Sequence, residues 1–201
     1  PLYYMPNPVD ESFETLKNFK KKSLTSDVFF AMSHGVHRGV LKKGKFDERE
    51  NFITKLQNLI PNIKFDLYGM KDIQPIWADN FVNALSKSKI ALNLSQGKPL
   101  KYYSSDRFAQ MIGNGLLVFI DQKTKFNDFF SKQEIIFYKN ISDLANKITK
   151  FSNDDALRQR IAKRGRDKYF KYFNSTIIAD FIISKTLGNK KKKFYWESKV
   201  K

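Results

Sequence analysis

At 201 residues and 41% hydrophobic content, the chain is long enough for one domain with a substantial core, and no apolar run approaches the roughly 18 to 20 residues a membrane-spanning helix needs. With no cysteine and two histidines, disulfides, thiolate metal sites and a cysteine nucleophile are excluded, and little is left for a histidine metal site. The formal net charge of +17 calls for an acidic partner, but its lysines, at 20–22, 42–45 and 190–193, are spread along the chain, which fits anionic phospholipid headgroups better than a dedicated nucleic-acid face.

The opening stretch, Pro1 to Pro8, holds three prolines and predicts an extended segment. It begins without Met or any leader-like pattern, so the chain reads as a fragment and residues 1–10 as an interdomain linker remnant. Phe13, Leu16 and Phe19 recur at helical spacing and predict a short amphipathic helix ending at the 20–22 lysines. Residues 26–33 read as a buried strand, followed by a loop holding Gly35 and Gly39. Phe52, Ile53, Leu56, Leu59 and Ile60 then mark a helix stopped by Pro61. A strand at 63–68 ends at Gly69. The alternation continues with a helix at 79–86, a strand at 89–95, a polar loop at 96–103 and a helix from Ser104 carrying Phe108, Met111 and Ile112. The run 115–120 is almost entirely apolar, as in strands covered on both faces. A strand at 134–138 precedes helices at 142–151, 155–172 and 175–187, the second opened by a capping box at 152–155.

Short apolar strands alternating with helices predict an α/β, Rossmann-like parallel sheet with helices on both faces. The domain occupies 11–187 and residues 188–201 form a basic flexible tail. Ligands in such sheets bind at the carboxyl ends of the strands, which directs attention to four loops. In the first, Gly35 lets backbone amides approach a phosphate and Arg38 adds charge, though a plain turn with a surface arginine accounts for the same residues. His34 and His37 have no carboxylate partner in the sequence and read as ordinary loop residues. The loop after 95 is richer: Lys98 and Lys101 precede Ser104 and Ser105 at a helix start, where free N–H groups and the dipole could hold a diphosphate. Helix capping by the serines and solvation of the lysines is the competing account. Asp106 divides between a sugar-hydroxyl contact and helix-start stabilisation, Tyr68 between nucleotide contact and packing, and Trp77 favours packing.

Beyond these local patterns, the order of features resembles the carboxyl-terminal domain of GT-B glycosyltransferases, in particular a spore-maturation-type family. The resemblance rests on Asp106-Arg107-Phe108-Ala109-Gln110-Met111-Ile112-Gly113-Asn114-Gly115 before an apolar strand, on Ile135-Ile136-Phe137-Tyr138, on Arg158-Gln159-Arg160-Ile161-Ala162-Lys163-Arg164-Gly165, and on the opening Pro6-Asn7-Pro8-Val9-Asp10. It implies binding of a nucleoside-diphosphate sugar and transfer of the sugar to an acceptor hydroxyl, in surface glycan or lipopolysaccharide synthesis. By the same resemblance, Arg107, Ser104 and Ser105 lie near the diphosphate, and Gln110 stands where the family has a ribose-binding glutamate. Tyr102 stands where retaining relatives carry an acid, which leaves the stereochemistry open. The resemblance further implies a metal-independent enzyme without cofactor, working in the cytoplasm or at the membrane face. Its general base belongs to a preceding domain, so the isolated chain is expected to turn over nothing. A noncatalytic nucleotide-binding module and a basic nucleic-acid-binding protein are the alternatives.

Overall fold

The computed structural model describes residues 2–33, 40–41, 45–46, 48–189 and 191–200. Its centre is a five-stranded sheet built from β1 (Ser26–Ala31), β4 (Phe65–Tyr68), β5 (Ser88–Asn93), β6 (Leu117–Asp121) and β7 (Ile136–Tyr138), in the order β4-β1-β5-β6-β7. Every pairing in it is parallel, with Phe30 opposite Leu67, Phe29 opposite Ala91, Leu92 opposite Phe119 and Ile120 opposite Phe137. Two short strands, β2 (Val40–Leu41) and β3 (Lys45–Phe46), pair antiparallel outside the sheet; the sequence pattern did not suggest them.

Both faces of the sheet are buried because both sets of alternating side chains are apolar. Val28 and Phe30, Ile90 and Leu92, and Leu117 and Phe119 face one core. Phe29 and Ala31, Ala91, and Val118 and Ile120 face the other. The first core is closed by α1 (Glu48–Leu59) through Ile53 and Leu56, and by α4 (Ile141–Asn153) through Leu144 and Ile148. The second is closed by α2 (Ala78–Leu85), α3 (Asp106–Gly113) and α6 (Ser175–Thr186). The long α5 (Asp155–Phe173) serves both, with Ile161 and Ala162 in one core and Tyr169 and Phe173 in the other.

Three local expectations are corrected. The amphipathic helix over 13–19 does not form: Lys17 adopts a left-handed conformation and only the 3-10 turn Asn18–Lys20 follows. Tertiary hydrogen bonds outcompete the helical spacing there, since Asn18 N–H donates to Asn114 O at 2.9 Å and Asn18 Nδ2 to Leu85 O at 2.6 Å. Helix α5 is capped by Asp154, whose side chain accepts from Leu157 N–H, and not by Ser152. Within the basic tail, residues 194–196 are packed on the domain: Trp196 is fully buried, Phe194 nearly so, and Tyr195 Oη donates to Phe129 O at 2.9 Å.

The opening segment also packs on the domain. Val9 N–H donates to Phe173 O at 3.1 Å and Ser175 N–H to Val9 O at 2.9 Å, joining the strap to the junction of α5 and α6. Trp196 Nε1 donates to Tyr4 O at 3.1 Å, so the two ends of the chain are fastened to each other. Close approach fixes two glycines. A Cβ at Gly165 would meet Glu134 O at 2.2 Å, and Gly115, at φ +80°, would press one on the Phe19 ring at 2.7 Å.

Candidate functional site

The chain runs outward from β1 to β4 and then crosses back to β5, so the order of the sheet reverses between β1 and β5. Such a reversal splays the following loops apart and opens a crevice at the strand tips. Two connected cavities lie there. A small polar one of about 160 Å³ is lined by Ser33, Arg49, Asn93, Ser95, Ser105 and Arg107 among others. A larger, mostly apolar groove of about 860 Å³ shares Ser33, Ser105 and Arg107 with it. The groove runs between the strap, the start of α2 and the exposed side of α3, reaching Glu14 and Asn114.

Two arginines line the small cavity. Arg107, in the first turn of α3, donates through Nη1 to Ala31 O at the end of β1, which ties the helix start to the strand tip. Arg49, in the first turn of α1, is 7% exposed. It went unremarked in the sequence, yet it extends the Ile53, Leu56 and Ile60 stripe by one helical turn. An arginine at a core-facing position was the available signal.

Ser105 occupies the N-cap position of α3, but its side chain makes no cap bond, and Oγ is enclosed with no hydrogen-bond partner among the described residues. Plain capping therefore does not account for this serine, and a buried hydroxyl without a partner is costly unless a ligand completes it. Asp106 instead folds back to accept from Arg107 N–H at 2.9 Å, the helix-start role. Gln110 lies on the groove side of α3, about 6 Å along the axis from Asp106 at 1.5 Å per residue.

The other proposed residues are not gathered here. Lys98 and Lys101 are exposed and do not line either cavity; Tyr102, at φ 59° and buried, turns the loop inward, with Lys101 Nζ 4.9 Å from its ring. Ser104 contributes its carbonyl to Asn7 Nδ2 at 3.2 Å. Tyr68 packs its ring 6.1 Å from that of Phe29, outside both linings, with its hydroxyl pushed up to about 12 by burial and then by Asp66. Gly35, Arg38, His34 and His37 lie outside the described residues. Trp77 reverses its expectation: it is 62% exposed and lines the groove.

The groove's inner end carries two carboxyl groups of opposite tendency. Asp10 accepts from Ser175 Oγ and from Ser12, which lowers its pKa to about 2. Glu14 accepts from Asp10 N–H at 2.7 Å, yet burial raises its pKa against that bond and the attraction of Arg166. Among the described residues no group of three or more histidine, aspartate or glutamate side chains could hold a metal ion, and no helix is long and apolar enough to cross a membrane.

A family model described as glycosyl transferase-like matches residues 48–184, which is more than half of the chain and contains most of this crevice. The chain belongs to that glycosyl transferase-like family. Solved structures share its fold. The crystal structure of TarM is 14% identical with a TM-score of 0.57, the match covering 81% of this chain and 36% of that one. Sucrose-phosphate synthase from Thermosynechococcus elongatus is 14% identical with a TM-score of 0.57, covering 90% and 49%. Anabaena HepE, solved in complex with UDP, is 10% identical with a TM-score of 0.59, covering 92% and 57%. The sheet with helices on both faces is thus that of one half of the GT-B glycosyltransferase fold, and the chain spans between 36% and 57% of the length of these three neighbours. No curated protein matches the sequence.

Proposed function

We propose that the chain is the donor-binding part of a glycosyltransferase, holding the diphosphate of a nucleoside-diphosphate sugar in the small polar cavity and the nucleoside in the groove. The carrying observation is the pair of arginines, Arg49 and Arg107, lining one cavity of about 160 Å³ together with Ser105, whose hydroxyl has no partner among the described residues. Positive charge held on rigid helix starts, in a site partly closed to water, stabilises the charge that develops on a departing diphosphate. These groups supply the countercharge without a metal. The groove beside this cavity is large enough for a nucleoside, Gln110 and Trp77 line it, and Trp77 is exposed enough to stack on a base. The UDP bound by HepE supports the same assignment.

The product of such a reaction is a glycoside formed on an acceptor hydroxyl, and a surface glycan or lipopolysaccharide acceptor fits the basic character of the chain. Among the described residues lining the diphosphate cavity there is no carboxylate or imidazole, and the isolated chain is expected to bind donor without turnover. A noncatalytic nucleotide-binding module draws on one observation, the uncharged Gln110 in the ribose position.

A thermal-shift panel of UDP, GDP, ADP and CMP tests the site. A ligand at 100 times its Kd stabilises by about 2.7 kcal/mol, and Arg49→Ala should remove most of that protection. Arg107→Ala should remove it entirely. Because Arg107 also holds Ala31 O and Arg49 is itself largely buried, the melting temperature of each variant without nucleotide separates loss of binding from loss of local structure. Absence of protection by any nucleotide, or protection unchanged in Arg49→Ala, would refute the assignment. Binding that responds only to arbitrary nucleic acid and falls steeply with salt would favour a different class of protein.

A further inference from the structure

The outward faces of the last two helices differ in chemistry. Along α5 the exposed positions include Arg160, Lys163, Arg164, Asp167 and Lys171, an ordinary solvated face. Along α6 and its C-cap Leu187 the exposed positions are Thr176, Ala179, Ile182, Ile183, Thr186 and Leu187, none of them charged. At 3.6 residues per turn they span roughly 140° of arc. Ile183 is 57% exposed and Leu187 78%. The inner face of the same helix, Ile178, Phe181 and Ser184, is buried, so the outer apolar residues are not needed to hold α6 in place.

The surroundings of this face are basic. Residues 185–193 hold five lysines and no carboxylate. Lys185 is committed to Glu197 at 2.6 Å, and Lys192 pairs with Asp180, the acid at the edge of the face. Lys191 and Lys193 are exposed, with no ion pair among the described residues. A second copy of a chain carrying +17 would be repelled from this surface. Nucleic acid would be drawn by the lysines but gains nothing from isoleucine and leucine side chains. An anionic bilayer satisfies both components, taking the apolar residues among its acyl chains and the ammonium groups at its headgroups.

We propose that the outward face of α6, with Ile182, Ile183 and Leu187 flanked by Lys191 and Lys193, docks the protein on an anionic lipid membrane surface. The contact is interfacial, since no described helix is long and apolar enough to span. Ser175, at the first turn of the same helix, lines the groove, so about 10 Å of helix separates the groove from Ile182. The docked protein therefore holds its crevice close to the bilayer, where a lipid-borne acceptor would arrive.

Co-sedimentation with vesicles of phosphatidylcholine alone, and of phosphatidylcholine with phosphatidylglycerol, tests this on the chain as it stands. The expected result is binding to the anionic vesicles only, weakened by high salt. Ile182→Asp with Ile183→Asp should lower the affinity about tenfold or more at an unchanged melting temperature. Lys191→Glu with Lys193→Glu should do the same and remove the salt dependence. No binding to anionic vesicles overturns the proposal, as does binding that survives the isoleucine substitutions. So does a dimer in light scattering that Ile183→Asp dissociates while lipid is ignored. Nucleotide protection is read separately, so failure here leaves the donor-site assignment untouched.

Discussion

The two faces of the sheet are built from different material. The face under α1 and α4 is mostly aliphatic, with Ile53, Leu56, Ile90, Leu117, Leu144 and Ile148, and is closed largely by α1, α4 and part of α5. The opposite face is aromatic, joining Phe108, Phe126, Phe129, Phe130, Tyr169, Phe173, Phe181, Phe194 and Trp196. It is closed by pieces far apart in sequence: the strap at the start, α2 and α3 in the middle, and α6 with the final segment. The groove opens on this second face, where the cover is discontinuous. The face whose cover includes both chain ends leaves a cleft beside the opening strap, whereas the face covered mainly by helices closes.

The largest expected effect comes from the discontinuous face. Trp196→Ala empties a fully buried site and breaks the bond to Tyr4 O, and should cost about 3–5 kcal/mol in urea unfolding. It should also weaken nucleotide protection, because the strap that walls the groove loses a fastening. Leu56→Ala, on the aliphatic face, should cost about 2–5 kcal/mol while leaving nucleotide affinity unchanged. If both variants weaken binding equally, the division between the faces fails.

A smaller effect is expected at the seam between them. Gly165→Ala puts a Cβ against the backbone carbonyl of Glu134, which cannot rotate away, and should cost about 1–3 kcal/mol. The smallest is confined to the groove's inner end. Glu14, raised above 4.5 by burial, contributes stability that is complete below that value and lost as pH rises through its folded pKa. Asp10 acts in the opposite sense, its contribution complete above 3.8 and lost as pH falls toward about 2. Thermal melts across pH should therefore show Glu14→Gln flattening the decline on the upper side and Asp10→Asn flattening it on the acid side. Parallel pH profiles for the two variants would contradict the opposing environments described here.

The composition and periodicity of the chain determined the layered α/β class, the five sheet strands and all six α-helices, because burial on both faces writes itself as apolar runs and helical stripes in the local sequence. The helix start at Ser104 and Ser105 was legible in the same way, as polar residues following a strand end, whereas Arg107 and Gln110 stood out only through the family resemblance. Tertiary structure decided what local pattern cannot carry. It put Arg49 beside Arg107, although 58 positions separate them, by laying α1 and α3 against neighbouring strand tips. It exposed Trp77, left Lys98 and Lys101 outside, and anchored both chain ends through Trp196 and Val9. Those outcomes depend on the order in which the strands assemble in the sheet, and strand order is a property of long-range packing that no short stretch of residues encodes.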